Sequence, residues 1–144
     1  MFVPLNPRSR LAGRDDKGWS NFFKYMNYRQ IVGKFGENLA KDYLLRRSYR
    51  IISVNKKIGF KEIDIIAQEG EILVFVEVKT RLSSVFGGAE DAFNFVKFDN
   101  LKAAMEWYIY KNNLDGNFVR LDFISVDINK YRKKANIKHF KDII

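Results

Sequence analysis

Three charged residues in the middle of the chain have the types and the spacing that metal-assisted phosphate chemistry needs. Glu77 and Lys79 form a Glu-x-Lys triplet inside one apolar run, and Asp64 lies in the apolar run before it. Mg²⁺ is usually held by one or two carboxylates and several waters, and it accepts phosphate oxygens as further ligands. A bound ion lowers the pKa of a coordinated water, and an adjacent lysine can orient that water or stabilise the transition state. The triplet and Asp64 therefore indicate a phosphodiesterase site with Mg²⁺ or Mn²⁺.

A hairpin is expected to bring the two acids together. Residues 62–67 and 72–79 are β-prone runs separated by Gln68-Glu69-Gly70-Glu71. A type II′ turn with Gly70 as its first central residue predicts that Asp64 lies opposite Glu77. The same register contains the pairs Ile66–Phe75, Ile65–Val76 and Glu69–Ile72. A tip at Glu69-Gly70 would shift the pairing by two residues and leave the acids as diagonal neighbours on one face.

The two faces of this hairpin are predicted to differ in polarity, because side chains alternate along a strand. Asp64, Glu77 and Lys79 share one face, and the other face is apolar: Ile63, Ile65, Ala67, Val74, Val76 and Val78. Carboxylates directly opposite each other repel, so a cation between them would stabilise the pair. Glu62 lies opposite Lys79 in this register, and a plain salt bridge in a solvated hairpin remains the alternative interpretation.

The remaining elements follow from periodicity and turn residues. Apolar residues at helical spacing predict a helix over 31–47, with Glu37 on the rim of its apolar face. A strand over 49–54, a basic turn through Asn55 and Gly59, a loop over 80–92, a helix over 95–111 and a strand over 118–127 complete an α/β pattern. Residues 1–28 contain both prolines and are predicted to be a poorly ordered basic extension, followed by a single domain over 29–144.

The net charge of +9 favours a nucleic-acid partner, but the charge is unevenly distributed. Residues 1–30 hold six basic and two acidic side chains, residues 128–144 hold six and one, and residues 31–127 hold 14 of each. One basic cluster stands out in this neutral middle: Arg46, Arg47, Arg50, Lys56, Lys57 and Lys61. Contacts to a phosphate backbone need such a cluster. A solvated helix end and loop is an equally good interpretation.

Several classes of function are excluded or disfavoured by composition. The chain of 144 residues has no cysteine and one histidine, His139, so thiol chemistry, Ser-His triads and His-rich zinc sites have little to build on. It has no Gly-rich phosphate loop and no apolar run near the roughly 18 to 20 residues of a membrane span. Without a secretory signal, the cytoplasm is the expected compartment and no membrane partner is expected.

Taken together, the motifs resemble a known family. Gly36-Glu37, Glu62-Ile63-Asp64 and the run from Val74 to Arg81 (Val-Phe-Val-Glu-Val-Lys-Thr-Arg) are similar to the YraN-like family of uncharacterised bacterial proteins. That family resembles a compact member of the PD-(D/E)XK nuclease superfamily, related to archaeal Holliday-junction resolvases. The resemblance covers about residues 29–143 and includes these further matches: Ala40, Tyr43, Leu44, Phe86-Gly87, Glu90, Ala92, Lys97, Arg120, Asp122, Val126, Ile137 and His139.

The resemblance implies a restriction-endonuclease-like mixed central β-sheet flanked by helices. It also implies that Asp64 and Glu77 are metal ligands, Lys79 the catalytic lysine and Glu37 the acidic residue of the first helix. The residues expected to contact nucleic acid are Arg46, Arg47, Lys56, Lys57, Lys61, Arg81 and Lys97. Two positions depart from the family pattern: Lys61 replaces a glycine, which makes the approach to the site more basic, and Phe98-Asp99-Asn100 replaces a basic and polar stretch, which weakens the expected DNA contact there.

Three functions are compatible with these residues. The first is a metal-dependent endonuclease acting on DNA, with branched DNA as one candidate substrate and a homodimer as one candidate assembly, since resolvases commonly act as dimers. The second is a catalytically silent nucleic-acid-binding module that retains the nuclease fold. The third is a protein-interaction module whose neutral body contacts a partner.

Overall fold

A computed structural model of the chain describes residues 1–4, 28–82 and 95–144. They form one six-stranded sheet with two helices, in this order: β1 (Phe2–Pro4), α1 (Tyr28–Leu45), β2 (Arg50–Ile58), β3 (Lys61–Glu69), β4 (Ile72–Leu82), α2 (Phe95–Lys111), β5 (Val119–Asn129) and β6 (Lys134–Phe140). The strand order is β1-β6-β5-β4-β3-β2, and β4 pairs with β5 in parallel while the other pairs are antiparallel. The predicted mixed central sheet flanked by helices, as in restriction-endonuclease-like folds, is confirmed.

The β3–β4 hairpin has the register that its turn residues predict. Gly70 has a φ of 60° and Glu71 follows without a positive φ, which fits glycine at the first central position of a type II′ turn. The pairs Glu69–Ile72, Ile66–Phe75 and Ile65–Val76 are all present. The alternative tip at Glu69-Gly70 is therefore wrong.

Beyond Ile65–Val76 the two strands of this hairpin stop pairing with each other. β3 continues to pair with β2 as far as Ile58–Lys61, and β4 continues to pair with β5 as far as Leu82–Ile128. The sheet therefore divides into two arms at this point, which we call the fork. Asp64 and Glu77 are the first residues on either side of it.

Helix α1 packs against one face of the sheet. Its buried residues Ala40, Tyr43 and Leu44 share a core cluster with the even-numbered residues of β4, Val74, Val76 and Val78. Gly36 allows a close approach at one end of this contact, because a Cβ on Gly36 would lie 1.8 Å from the Thr80 Oγ1 atom. α1 is thereby held directly over β4, one residue past Lys79.

Helix α2 covers part of the opposite face. Leu101, Ala104 and Met105 form a second core cluster with sheet residues that include Phe75 and Ile63. Ile63, which was predicted to share a face with Ile65, packs instead in the α2 cluster, while Ile65 packs in the α1 cluster. Within the described residues, neither helix combines the length and apolar character needed to cross a membrane.

Four further differences from the sequence-based expectations concern the strands: two are longer than predicted, and two were not predicted. β2 runs through the predicted basic turn to Ile58, and Asn55 within it takes a left-handed φ of 49°, which asparagine tolerates. β4 includes Thr80–Leu82, the start of the predicted loop, while the rest of that loop, residues 83–92, lies outside the described residues. β6 was not predicted, and neither was β1, which pairs with it inside the segment expected to be irregular. Residues 5–27 lie outside the described residues, so the expectation for them stays a prediction.

Candidate active site

Asp64 is fixed at the fork by the backbone of the neighbouring strand. Its Oδ2 atom accepts a hydrogen bond of 2.7 Å from the Val78 backbone N–H. The carboxylate continues the ladder where the β3 backbone no longer pairs with β4. Since Val78 stands between Glu77 and Lys79 in the chain, this bond holds the Asp64 carboxylate beside the Glu-x-Lys triplet.

Glu77 is almost completely buried, with 3% of its surface exposed. Alternation along β4 places it on the Phe75 side of the sheet, beyond the part of that face where the α2 cluster is formed. Lys79 follows on the same side, half-buried and in register with the buried Ser125 of β5. Burying an ionisable carboxyl is costly without compensating charge or hydrogen bonds, and Glu77 has such an interaction within the protein.

The predicted competitor of this site is a salt bridge between Glu62 and Lys79. In the part of the chain that the structure describes, no ion pair joins these two residues. Glu62 is instead exposed, and its Oε1 atom accepts a hydrogen bond of 3.4 Å from the Asn55 side-chain amide. Lys79 is thus not committed to the glutamate that the hairpin register placed opposite it.

Glu37 approaches from α1, on the other face of the sheet. Its Oε2 atom accepts hydrogen bonds from Lys34 Nζ at 3.1 Å and from Asn55 Nδ2 at 2.8 Å. Asn55 lies between Val54 and Lys56, which pair with Ile65 and Ile63, so Asn55 is the register neighbour of Asp64. Glu37 is therefore tied to the arm that carries Asp64. Among the described residues, no group of three or more acidic, histidine or cysteine side chains converges to hold a metal ion.

Asp64 and Glu77 are the two acids that directly flank the fork. Carboxylate oxygens are hard ligands that suit Mg²⁺ and Mn²⁺ rather than soft metals. Mg²⁺ in particular needs only one or two carboxylates, because waters and substrate phosphate oxygens fill its remaining positions. A pair of acids flanking the fork, with Lys79 beside one of them, fits this donor set.

The predicted nucleic-acid contacts divide into separate groups. Lys56, Lys57 and Lys61 lie on the β2–β3 arm, at the end of the sheet towards which Lys79 also points. Arg46 and Arg47 follow the end of α1, next to the start of β2, whereas the three lysines lie near its other end. The two groups are therefore separated by the length of β2. The grouping of all these residues into one cluster is therefore wrong.

One further contact is known for Arg47, and the remaining two predicted residues are Arg81 and Lys97. Arg47 packs its guanidinium 3.9 Å from the centre of the Tyr43 ring, which gives this arginine a structural contact on α1. Arg81 is exposed near the end of β4, in register with Asp127. The side chain of Lys97 lies outside the described residues.

A second polar cluster lies on the α1 face, around Asp122. This carboxylate is completely buried and accepts hydrogen bonds from Arg120 Nε at 2.7 Å, His139 Nε2 at 2.7 Å and the Asp142 backbone N–H at 3.0 Å. Burial alone would raise the pKa of Asp122, but the hydrogen bonds from His139, Arg120 and Asp142 outweigh it and lower the pKa. An ionised carboxylate only accepts, so His139 carries its proton on Nε2. The cluster binds β5, β6 and the C-terminal segment together.

Glu69 extends this cluster to the surface. It forms ion pairs of 2.7 Å with both Arg120 and Lys141. Its partial burial would raise the pKa, but hydrogen bonds from Lys141, Arg120 and Tyr49 lower the pKa of Glu69 to about 2. These residues stabilise the sheet and lie on the opposite face from Glu77.

Asn55 is the site residue that sequence reasoning missed, because asparagine next to lysines and glycine indicated a turn. Its signal is visible only once the β2–β3 register is known, since that register makes it the neighbour of Asp64. A side-chain amide at this position can hold Glu37 and also donate towards Glu62. Asn55 thus connects the helical acid to the arm that carries Asp64.

Comparisons with known proteins identify a family. Residues 36–126 match the model of a family described as "Uncharacterised protein family UPF0102". A UPF0102 protein of Caldicellulosiruptor bescii is 41% identical over 118 residues, which cover 81% of this chain and 98% of that protein. Another, of Flavobacterium psychrophilum, is 43% identical over 111 residues, covering 77% and 91%. A third, of Clostridium tetani, is 33% identical over 116 residues, covering 81% and 95%.

Among solved structures, SfsA of Pyrococcus furiosus in complex with Ca²⁺ is similar at a TM-score of 0.34. The two chains are 12% identical, and the match covers 78% of this chain and 63% of that one. A likeness this weak carries no argument about the site.

Proposed function

The chain belongs to the uncharacterised protein family UPF0102, and from the residues at its fork we propose that it is a metal-dependent endonuclease acting on DNA. One observation carries the proposal: the 2.7 Å hydrogen bond from the Val78 N–H to Asp64, which holds one carboxylate beside the strand segment that bears Glu77 and Lys79. In this bond an aspartate carboxylate takes the place of a backbone carbonyl, so an acidic side chain becomes part of the ladder at the fork.

The proposed reaction is the hydrolysis of a phosphodiester. A water oxygen forms a bond to phosphorus, the bond from phosphorus to one ester oxygen breaks, and the leaving oxygen takes up a proton. Asp64 and Glu77 would hold Mg²⁺ or Mn²⁺, which lowers the pKa of a coordinated water and neutralises charge on the phosphate. Lys79 would donate hydrogen bonds to the attacked phosphate and stabilise its developing charge. Glu37 would act as a positioning residue, through its hydrogen bond with Asn55.

A nicking assay on supercoiled and branched DNA with Mg²⁺ or Mn²⁺ tests this proposal. We expect Asp64→Asn and Lys79→Ala each to lower the nicking rate by about 100-fold or more, the loss typical of removing one transition-state contact. Asp42→Asn is the matched control, because Asp42 is an exposed acid on α1. Wild-type protein that fails to nick any of these substrates, or nicking that survives Asp64→Asn, contradicts the proposal.

Binding of the metal can be measured apart from cleavage. Mn²⁺ at 100 times its dissociation constant raises the free energy of unfolding by about 2.7 kcal/mol if it binds only the folded chain. We expect this gain in thermal melts of the wild type and of Asp42→Asn, and its loss in Asp64→Asn.

A nucleic-acid-binding module without catalysis is the second candidate function. It is favoured by the separation of Glu37 from the acids at the fork, since no third acidic residue among the described ones joins Asp64 and Glu77. DNA binding that weakens with salt and is accompanied by no nicking in any metal would support this candidate.

A further inference from the structure

The tip of the β2–β3 arm carries an aromatic side chain that packs against none of the described residues. Phe60 is fully exposed, next to Gly59, whose φ of 59° forms the tight turn. It is surrounded on the two strands by three basic residues: Lys56, Lys57 and Lys61. A tip of this kind needs no phenylalanine for folding, because turn residues are ordinarily small or polar.

The arm below this tip is firmly anchored. Ile58 and Ile63 are buried in the cluster with α2, so Phe60 is presented on a packed base and not on a loose loop. Phe60 directly precedes β3 and lies four residues before Asp64, which corresponds to about 13 Å at roughly 3.3 Å per residue. That distance equals about four base steps of a duplex at 3.4 Å per step.

The other side of the fork ends in a second tip of the same kind. β5 and β6 are joined by a turn at whose centre Tyr131 is 88% exposed. The turn is ordered by a hydrogen bond of 2.9 Å from the Arg132 N–H to the side chain of the buried Asn129. Four exposed basic residues flank the tyrosine: Lys130, Arg132, Lys133 and Lys134.

Both tips point to the same end of the sheet. β5 runs parallel to β4, so its C-terminal end lies on the side towards which Glu77 and Lys79 lead. β3 is antiparallel to β4, so its N-terminal end, next to Phe60, lies there too. The two tips are about three strand spacings apart, roughly 14 Å in an undivided sheet. The carboxylates at the fork lie between them.

We propose that the two tips form a clamp on nucleic acid: Phe60 and Tyr131 stack on unpaired bases, and the lysines and arginine beside each of them bind the flanking phosphates. The clamp rests on the proposed function, and it names the substrate class as DNA with single-stranded or unstacked bases next to the cleaved bond. Basic grooves with aromatic stacking side chains are the general means of holding single strands, because every base offers a stacking face.

Nucleic acid fits these tips better than a membrane surface does. Two isolated aromatic side chains offer little apolar area for insertion into lipid, and the residue before Gly59, Ile58, is already buried in the core. Stable membrane attachment needs a larger apolar face or a lipid anchor in addition to basic residues. A nucleic acid, in contrast, can bind each side chain of the tips individually, the aromatic ones through its bases and the basic ones through its phosphates.

The test measures binding to gapped DNA that carries the fluorescent base 2-aminopurine in the gap, with Ca²⁺ as the only divalent ion and the intact DNA verified on a gel. We expect Phe60→Ala and Tyr131→Ala each to lower affinity by about 5- to 150-fold, the range for losing one base-stacking contact, and to change the 2-aminopurine signal of the complex. Phe60→Trp should retain both affinity and signal. Lys57→Ala should reduce the slope of log affinity against log salt by about 0.7.

Tyr110→Ala is the matched control, because Tyr110 is 82% exposed but lies on α2, away from both tips. An unchanged affinity in either Phe60→Ala or Tyr131→Ala, or an equal loss in Tyr110→Ala, overturns the clamp. So does a loss of binding to anionic phosphatidylglycerol vesicles with DNA binding unchanged, which assigns the tips to a membrane. Failure of the proposed function is distinguishable: wild type that binds through both tips but never nicks retains the clamp and loses the endonuclease.

Discussion

At the scale of single residues, Asp64 has two roles that different substitutions can separate. Its carboxylate accepts the Val78 N–H and also supplies negative charge at the fork. An asparagine keeps an oxygen that can accept the same hydrogen bond, but it has no charge to hold a cation. An alanine has neither.

The first prediction follows from this difference. In the absence of metal, we expect Asp64→Ala to lower the free energy of unfolding by about 1 to 3 kcal/mol relative to Asp64→Asn, because the N–H of the buried Val78 loses its acceptor. Urea unfolding of both variants with EDTA measures it. Equal unfolding midpoints would show that the hydrogen bond contributes nothing to stability.

The residues at the fork were predictable to different degrees. The hairpin register up to Ile65–Val76 follows from turn residues and the two-residue period of strands, both of which act locally, whereas the expected pair of Asp64 with Glu77 is not part of the ladder. The bond from Val78 to Asp64 and the role of Asn55 depend on where β3 leaves β4 and on which strand lies beyond β3. Those are contacts between distant parts of the chain, which a local pattern does not encode.

At the scale of elements, the packing of α1 on β4 depends on the missing side chain of Gly36. A Cβ there would lie 1.8 Å from Thr80 Oγ1 and 2.7 Å from Thr80 Cβ, so α1 would have to move away from the strand. Gly33, one turn earlier, has nothing within 4 Å of the corresponding position. Gly36 and Gly33 therefore allow a matched comparison of the same substitution in one helix, with and without a close neighbour.

We predict opposite effects of alanine at these two positions. Gly36→Ala should lower the free energy of unfolding by about 1 to 3 kcal/mol, as overpacking does, and should lower nicking because Thr80 adjoins Lys79. Gly33→Ala should raise stability by up to about 1 kcal/mol, since alanine favours the helix. Thermal melts and the nicking assay measure both, and a Gly36→Ala protein as stable as Gly33→Ala would contradict the close packing.

The bounds of helices and strands were predicted well where the spacing of apolar residues was uninterrupted. The helix expected over 95–111 is α2, with those bounds, and the apolar period that predicts it is undisturbed. β6 was missed because polar residues and two lysines interrupt its short apolar pattern, although its inward positions Ala135 and Ile137 alternate as a strand requires. β1 has three residues, and its pairing with β6 is set by a partner about 130 residues away.

At the scale of the whole molecule, the ion pairs of Glu69 with Arg120 and Lys141, which we call the Glu69 cluster, connect parts that are far apart in the chain. It joins β3 through Glu69, β5 through Arg120 and the C-terminal segment through Lys141, on the α1 face of the sheet. Because the pKa of Glu69 is lowered in the folded state to about 2 from its ordinary value of 4.5, folding favours its ionised form. The stabilisation is fully present above about pH 4.5 and is lost as the pH falls towards about 2.

The corresponding prediction concerns acid unfolding. We expect the stability difference between wild type and Glu69→Gln to be largest above about pH 4.5 and to shrink as the pH falls towards about 2, since glutamine has no proton to take up. Urea unfolding at a series of pH values measures it, with Glu71→Gln, at the exposed hairpin turn, as the comparison. A difference that is constant across this range would mean that Glu69 titrates alike in both states.

The outer strand β2 has a consequence for how copies of this chain could associate. In the described part of the molecule β2 is the last strand of the sheet, and a register shift between Ile51 and Ser53 and the left-handed Asn55 interrupt its regular outline. An irregular edge strand that carries lysines resists pairing with a strand of another molecule and so protects against aggregation. A homodimer of this chain is therefore expected to form through side chains on another surface, and not by extending one sheet into the next.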